Sequence, residues 1–282
     1  MAPQVYLVTG ANKGIGYEVV RILSERLGDQ AIILLGTRSL DNGKAAIAKM
    51  QQANPSFNYA NVYSLEIDVT KSESIQAAAE FVKATYGTLH ALINNAGITA
   101  YVEGVDACFN VNVFGVHKTL SAFHSIMVPN QSITIVVASE VGAWTFSTLS
   151  PELQAIFANY SAIDIPTLRE LANDWKASNE GKSSKQTWPT VGKIFGPYGV
   201  SKTMVLALTR KWAQDHADMK TMMVCPGHCA TDLNKHSGPR SPVQGGESVV
   251  FPIFHSEETK TGGFYRDGVE HGFNVPMPAQ FQ

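Results

Sequence analysis

The chain has 282 residues, 22 of them Lys or Arg and 24 Asp or Glu, for a net charge of −2. Charged residues make up 16% and apolar residues 44%, against about 25% charged in an average globular protein, which excludes a disordered or solvating chain. So even a balance offers no basic field, and neither nucleic acid nor an anionic membrane is expected as a partner.

Val5 to Val8 reads as a strand. Gly14 to Leu27 follows as a helix, with Ile15, Val19, Ile22 and Leu23 on one face. Ile32 to Leu35 is a second strand, Asn42 to Gln52 a helix, and Val62 to Ile67 a third strand. Thr70 then opens a helix, with Glu73 three residues on as the partner of a capping box. Leu89 to Ile93 and Ile133 to Ala138 are strands on either side of a long helix from about Asp106 to Met127. A helix from Tyr198 to His216, a strand from Thr221 to Val224 and a last strand from Gly263 to Tyr265 close the pattern.

The early strands are continuous apolar runs, as parallel strands covered on both faces should be. Strand–helix alternation with right-handed crossovers predicts an α/β fold, a doubly wound parallel sheet of the Rossmann type, in a single domain spanning residues 1–282. Ligands of such a sheet lie beyond the carboxyl ends of its strands, near the switch point. Residues 143–195 break the rhythm: they are more polar and hold two helical stretches, Pro151 to Phe157 and Pro166 to Trp175. Ser178 to Gln186 reads as a surface loop, so this segment is expected to be a helical insertion on the sheet.

Cys108, Cys225 and Cys229 are too few for a disulfide framework and suit a reducing compartment. Cys225, His228 and Cys229 crowd a Pro-Gly turn in no common zinc spacing, so no metal is expected. The N-terminus lacks the basic segment of a signal peptide, and no apolar run approaches the ~18 residues of a membrane span. A cytoplasmic protein is expected.

The first strand runs into Thr9-Gly10-Ala-Asn12-Lys13-Gly14-Ile15-Gly16 and then a helix. Gly10 permits the sharp turn, Gly14 lets backbone approach a pyrophosphate, and Gly16 lets helix and strand pack closely. The free N–H groups and positive dipole end of the helix would hold the phosphates. After the second strand stands Arg38, with no carboxylate before Asp41; an NAD site would place an acid there, whereas Arg accommodates a 2′-phosphate. With Lys13 as a second cation, the expected cofactor is NADP(H).

Tyr198-Gly-Val-Ser-Lys202 puts a phenol and an ammonium one helical turn apart on one face. An ammonium beside a phenol lowers a pKa that starts near ~10 and tunes it for proton transfer. Ser139 ends the fifth strand, Asn94-Asn95-Ala-Gly97 ends the fourth, and Asn112 lies between them.

These motifs, together with Pro226-Gly227, appear in order along most of the chain, and on them it resembles a short-chain dehydrogenase/reductase. Ser150-Pro-Glu-Leu-Gln154 inside the insertion and Thr9-Gly-Ala-Asn-Lys-Gly14 are similar to the NADPH-dependent carbonyl reductases of the monomeric type. The resemblance implies that Tyr198 is the general acid. Lys202 would bind the nicotinamide ribose and depress the tyrosine pKa, Ser139 would hydrogen-bond the substrate oxygen, and Asn112 would hold a water relaying protons to Lys202. It further implies adenine contacts from Asp68 and Val69, a ribose contact from Asn95, and a loop over the carboxamide from Cys229 to Thr231. His228 replaces a tryptophan of those reductases at the substrate pocket, and the loop after Gly97 is shorter than theirs.

The activity so implied is NADPH-dependent reduction of aldehyde, ketone or quinone carbonyls to alcohols. Two alternatives are a reductase dedicated to one steroid or secondary-metabolite ketone, and an NADP-sensing binding protein without turnover. Ser139 and Tyr198 lie 59 positions apart, far more than the family's usual spacing. Within that stretch Leu168, Leu171 and Trp175 form an apolar stripe. Packed on the tyrosine helix, the stripe would cover the surface most relatives use to dimerise, so a monomer is expected, with a small-molecule carbonyl as its partner.

Overall fold

The computed structural model of the chain describes residues 2–189 and 196–279. The last residues of the expected insertion, 190–195, lie outside the described residues. Eight strands form one sheet in the order β3-β2-β1-β4-β5-β6-β7-β8. These are β1 (Gln4–Val8), β2 (Ala31–Thr37), β3 (Val62–Glu66), β4 (Ala91–Asn94), β5 (Ile133–Val137), β6 (Lys220–Val224), β7 (Phe264–Arg266) and β8 (Val269–Glu270). All neighbours are parallel except β7 and β8, which form an antiparallel hairpin. The order reverses between β1 and β4, so the crevice for ligands opens where Thr9 and Asn95 leave these two strands.

Helices α1 (Gly14–Leu27), α2 (Leu40–Ala53) and α11 (Pro242–Phe254) cover one face, burying Val19, Leu23, Met50 and Val249 with Ile33, Leu35 and Ile93. The other face is covered by α3 (Ser72–Tyr86), α6 (Val116–His124) and α10 (Gly196–Asp215). There Val82, Phe123 and Val205 pack with Leu7, Leu34, Leu92 and Val136. Leu34 points to one face while Ile33 and Leu35 point to the other, the alternation of a strand buried on both sides. The doubly wound parallel sheet expected from the sequence is present.

Three local expectations are corrected. The capping box at Thr70 does not form. Helix α3 begins at Ser72, and the Asp68 carboxylate instead accepts from the Thr70 N–H at 3.0 Å and its hydroxyl at 2.7 Å. The long helix from Asp106 is interrupted. Short helices α4 (Ala100–Glu103) and α5 (Val105–Phe109) precede a π-helical turn at Asn110–Gly115, and only then does α6 follow. Two side-chain bonds from Asn112 to the backbone of Ile98 hold this widened turn. Third, α7 (Glu140–Thr148), α11 and strand β8 add to the elements read from sequence.

The two helical stretches of the insertion are α8 (Pro151–Ala158) and α9 (Ile165–Asn179). Leu168, Leu171, Ala172 and Trp175 of α9 join a third core with Phe109, Val113 and Phe114, and with Val200, Met204, Ala207 and Leu208 of α10. Trp175 meets Phe109 edge-on with ring centroids 6.0 Å apart, and Lys176 pairs with Asp106 at 2.6 Å. Among the described residues no helix is long and apolar enough to cross a membrane.

Candidate active site

β1 ends one residue before Thr9, whose hydroxyl accepts from the N–H groups of Asn95 and Ala96 at 3.1 Å each, tying the ends of β1 and β4 together. Gly10 and Gly14 have φ of +63° and +61°, the left-handed conformation that favours glycine. At Gly16 the constraint is space. A Cβ there would lie 2.3 Å from Asn95 Nδ2 and 2.8 Å from the Gly10 carbonyl. Helix α1 starts with no side-chain cap and no acidic residue in its first turn, so its positive end faces the glycine-rich turn uncompensated. Asn12 and Ile15 flank that end half-buried. This cradle fits a dinucleotide pyrophosphate. The replacement Gly16→Ala is expected to destabilise the fold by about 1–3 kcal/mol, the usual cost of overpacking, read as a lowered midpoint in thermal unfolding.

Arg38 follows β2, exposed, with no hydrogen-bond or ion-pair partner among the described residues. Burial raises the nearby Asp68 carboxyl, but its bonds with Thr70, and then the charges of Lys71 and Arg38, hold it below the usual range. The Lys13 ammonium pairs with Asp232 at 2.9 Å, bridging the glycine-rich turn to the 3₁₀ turn Asp232–Asn234. Such exposed pairs contribute about 0–1 kcal/mol, so Arg38 is the principal candidate for a 2′-phosphate. The Asn95 side-chain amide donates to the carbonyls of Thr9 at 2.8 Å and Gly10 at 3.2 Å, so it braces the turn. Asp68 and Val69 lie just past β3, the Asp68 carboxylate committed to Thr70 and Val69 buried beneath Gly115.

On the opposite side of the crevice, Tyr198 sits in the first turn of α10 and Lys202 one turn later. The buried Lys202 ammonium donates to the Val137 carbonyl at 2.9 Å and stands 5.6 Å from the centre of the Tyr198 ring. Burial pulls its pKa down to about 8, against the pull of the Cys108 and Cys225 thiols. Part of the Tyr198 residue reaches the surface, but its hydroxyl lies deep. Burial pushes the phenol well above its ordinary value, and a hydrogen bond with Ser139 opposes the shift. The net shift is upward, against the lowering expected from Lys202, because burial of the phenol dominates. The phenol is therefore held protonated at neutral pH, the form a proton donor needs.

Ser139 leaves β5 as the N-cap of α7, accepting from the Val141 N–H at 3.2 Å. Asn112 accepts from the Ile98 N–H and donates to the Ile98 carbonyl, both at 2.9 Å, and donates to the Ser201 hydroxyl at 3.0 Å. Ser201 in turn donates to the Tyr198 carbonyl at 2.8 Å. The Asn112 side chain thus braces the start of α10. It still converges with Lys202 on Gly97, where a Cβ would be 3.5 Å from Asn112 Oδ1 and 3.9 Å from Lys202 Nζ.

Thr231 caps the 3₁₀ turn and its methyl packs against Gly14, closing the loop over the glycine-rich turn. The buried Cys229 thiol donates to the Pro226 carbonyl at 3.2 Å. His228 is exposed at the rim, and Arg240 donates its N–H to the His228 carbonyl. Among the described residues, the one grouping of possible metal ligands is His255, Glu257 and Glu258, all exposed; Cys225, His228 and Cys229 do not converge. Two partners of the site escaped the sequence reading. Ser201 sits inside the Tyr198–Lys202 motif as a small polar residue on a helix. Glu140 follows Ser139 and is part-buried against Arg266, and a carboxylate next to a strand end was its signal.

The family model for short chain dehydrogenases matches residues 4–151, more than half of the chain. The chain belongs to the short-chain dehydrogenase family. Carbonyl reductase [NADPH] 1 of Rattus norvegicus is 29% identical over 263 residues, covering 88% of this chain and 89% of that protein. The (+)-neomenthol dehydrogenase of Arabidopsis thaliana is 28% identical over 298 residues, covering 93% and 96%. Among solved structures, salutaridine reductase from Papaver somniferum superposes with a TM-score of 0.80 at 22% identity, covering 93% of this chain and 99% of that one. This dehydrogenase therefore carries the family fold over nearly all its length.

Proposed function

We propose that this short-chain dehydrogenase reduces aldehyde, ketone or quinone carbonyls to alcohols with NADPH. The observation that carries the reading is the buried Lys202 one helical turn from Tyr198, its Nζ 5.6 Å from the centre of the Tyr198 ring, across the crevice from the glycine-rich turn. When bound, NADPH supplies a hydride to the carbonyl carbon. Ser139 would hold the substrate oxygen, and Tyr198, kept protonated by burial, would donate its proton to that oxygen as negative charge develops. Lys202 would hold the ribose of the cofactor and return a proton toward Tyr198. The NADPH named for carbonyl reductase 1 of Rattus norvegicus supports this cofactor.

A second reading keeps the chemistry and dedicates it to one ketone. His228 at the rim and the short loop after Gly97 favour it, as do the names of the neomenthol and salutaridine enzymes. A panel of aldehydes, quinones and cyclic ketones, followed by NADPH absorbance, tests both. Turnover of several classes supports the broad activity, turnover of one ketone the dedicated one, and no oxidation of NADPH by any of them overturns both.

We further propose a monomer, on the ground that α9 occupies one side of α10 through Leu168, Leu171 and Trp175. Light scattering at micromolar concentration is expected to give a mass near 30.5 kDa, and twice that mass would reject the proposal. The partner is a small carbonyl compound, with no nucleic acid or membrane. Three buried free cysteines support a cytoplasmic location.

A further inference from the structure

The first residue of α7, directly after Ser139, is a carboxylate only 13% exposed. Glu140 accepts from Arg266 Nη1 at 2.8 Å and faces His271 Nδ1 at 3.3 Å, while its N–H donates to Cys225 Sγ at 3.4 Å. Arg266 ends β7, and Asp267 and Gly268, with φ of +51° and +79°, make the turn into β8. The chain of charges continues. Arg266 Nε lies 3.6 Å from Asp267, whose two oxygens take both terminal nitrogens of Arg240 at 2.9 and 2.7 Å. The Arg240 stem lies over Gly227, where a Cβ would be 2.6 Å away. Its backbone bonds to His228 and Ala230 at 3.2 and 2.8 Å. One hairpin thus grips the start of α7 on one side and the loop 227–230 on the other.

Part-buried ion pairs such as these contribute little to stability, because desolvation and screening offset their attraction; what they supply is a fixed geometry. We propose that Glu140, Arg266, Asp267 and Arg240 form a positioning network, which aims the Ser139 hydroxyl at the carbonyl oxygen and sets the 227–230 loop against the same pocket. None of the four is a catalytic residue. The proposal rests on the carbonyl-reductase reading, and its test separates the two. Because small misplacements at a reacting centre are costly, Glu140→Ala is expected to lower kcat on a reactive aldehyde by about 10–100-fold, counted per NADPH-binding site, with the NADPH Kd changed less than about twofold. Glu140→Gln keeps the acceptor for Arg266 and is expected to recover part of that loss. In a Ser139→Ala background the Glu140→Ala change should cost clearly less, leaving only the share that acts through the 227–230 loop, whereas a general loosening of the fold would cost the same in both. An equal loss in both backgrounds, or parental kcat in Glu140→Ala, overturns the network. Full turnover by Ser139→Ala alone overturns the reading of the site, and the network is then judged without turnover. Amide exchange at Val141 should accelerate in Arg266→Ala while α10 stays protected, and unchanged exchange rejects it.

Discussion

Replacing Tyr198 by Phe is expected to lower turnover by about 10²–10⁴-fold, the range general acid catalysis supplies, while NADPH binds as before. The substitution removes one hydroxyl and keeps the ring, whose face stands 5.6 Å from Lys202 Nζ, so the lysine stays on the Val137 carbonyl. It leaves the cap of the Ser139 hydroxyl on the Val141 N–H intact. Loss of kcat with unchanged cofactor affinity marks a group that acts on the substrate oxygen, since the glycine-rich turn that would bind NADPH lies on the far side of the crevice. Single-turnover reduction of a reactive aldehyde, with NADPH affinity from fluorescence titration, checks both halves. A Phe variant with near-parental turnover removes Tyr198 from the role of acid.

How much of this was legible in the sequence depends on the reach of each interaction. Helix α1 follows from an apolar stripe between a glycine-rich turn and Gly28, and runs Gly14–Leu27 as read. The Tyr198–Lys202 pair is legible because one helical turn fixes it. The π turn is not: it depends on Asn112 reaching Ile98, and helical periodicity says nothing of where a side chain docks. Lys13–Asp232 and Glu140–Arg266 join positions 219 and 126 residues apart, and no local pattern marks either. The rise of the Tyr198 pKa is equally hidden, because it comes from burial of the hydroxyl in the folded protein. Two missed elements do carry local signals. Asp267-Gly268 is the dipeptide of a tight hairpin turn. Ser241, with Pro242 at the first helical position and Gln244 completing a capping box, marks the start of α11, although Pro252 inside the helix obscures its length.

Arg38→Asp is expected to reverse or erase the preference for NADPH over NADH. Among the described residues Arg38 has no ion-pair partner, stands exposed just past β2, and its surplus charge reaches Asp68 only through space. A guanidinium so placed can give a 2′-phosphate charge-assisted hydrogen bonds worth about 1.5–3 kcal/mol. At 1.4 kcal/mol per decade that is about 10–150-fold in discrimination, and an aspartate adds repulsion to the loss. The same carboxylate would accept hydrogen bonds from the 2′-hydroxyl of NADH, so the effect on NADH should have the opposite sign. Lys13 provides the internal comparison. Its ammonium already has Asp232, and both side chains are more than half exposed, so Lys13→Ala should shift the preference by less than about fivefold. The ratio of kcat/KM for the two cofactors in the parent and both variants decides the matter. Equal efficiency with NADPH and NADH in the parent would remove Arg38 from the cofactor site, whereas a larger loss from Lys13→Ala than from Arg38→Asp would move the 2′-phosphate to the lysine, at the expense of its pair with Asp232.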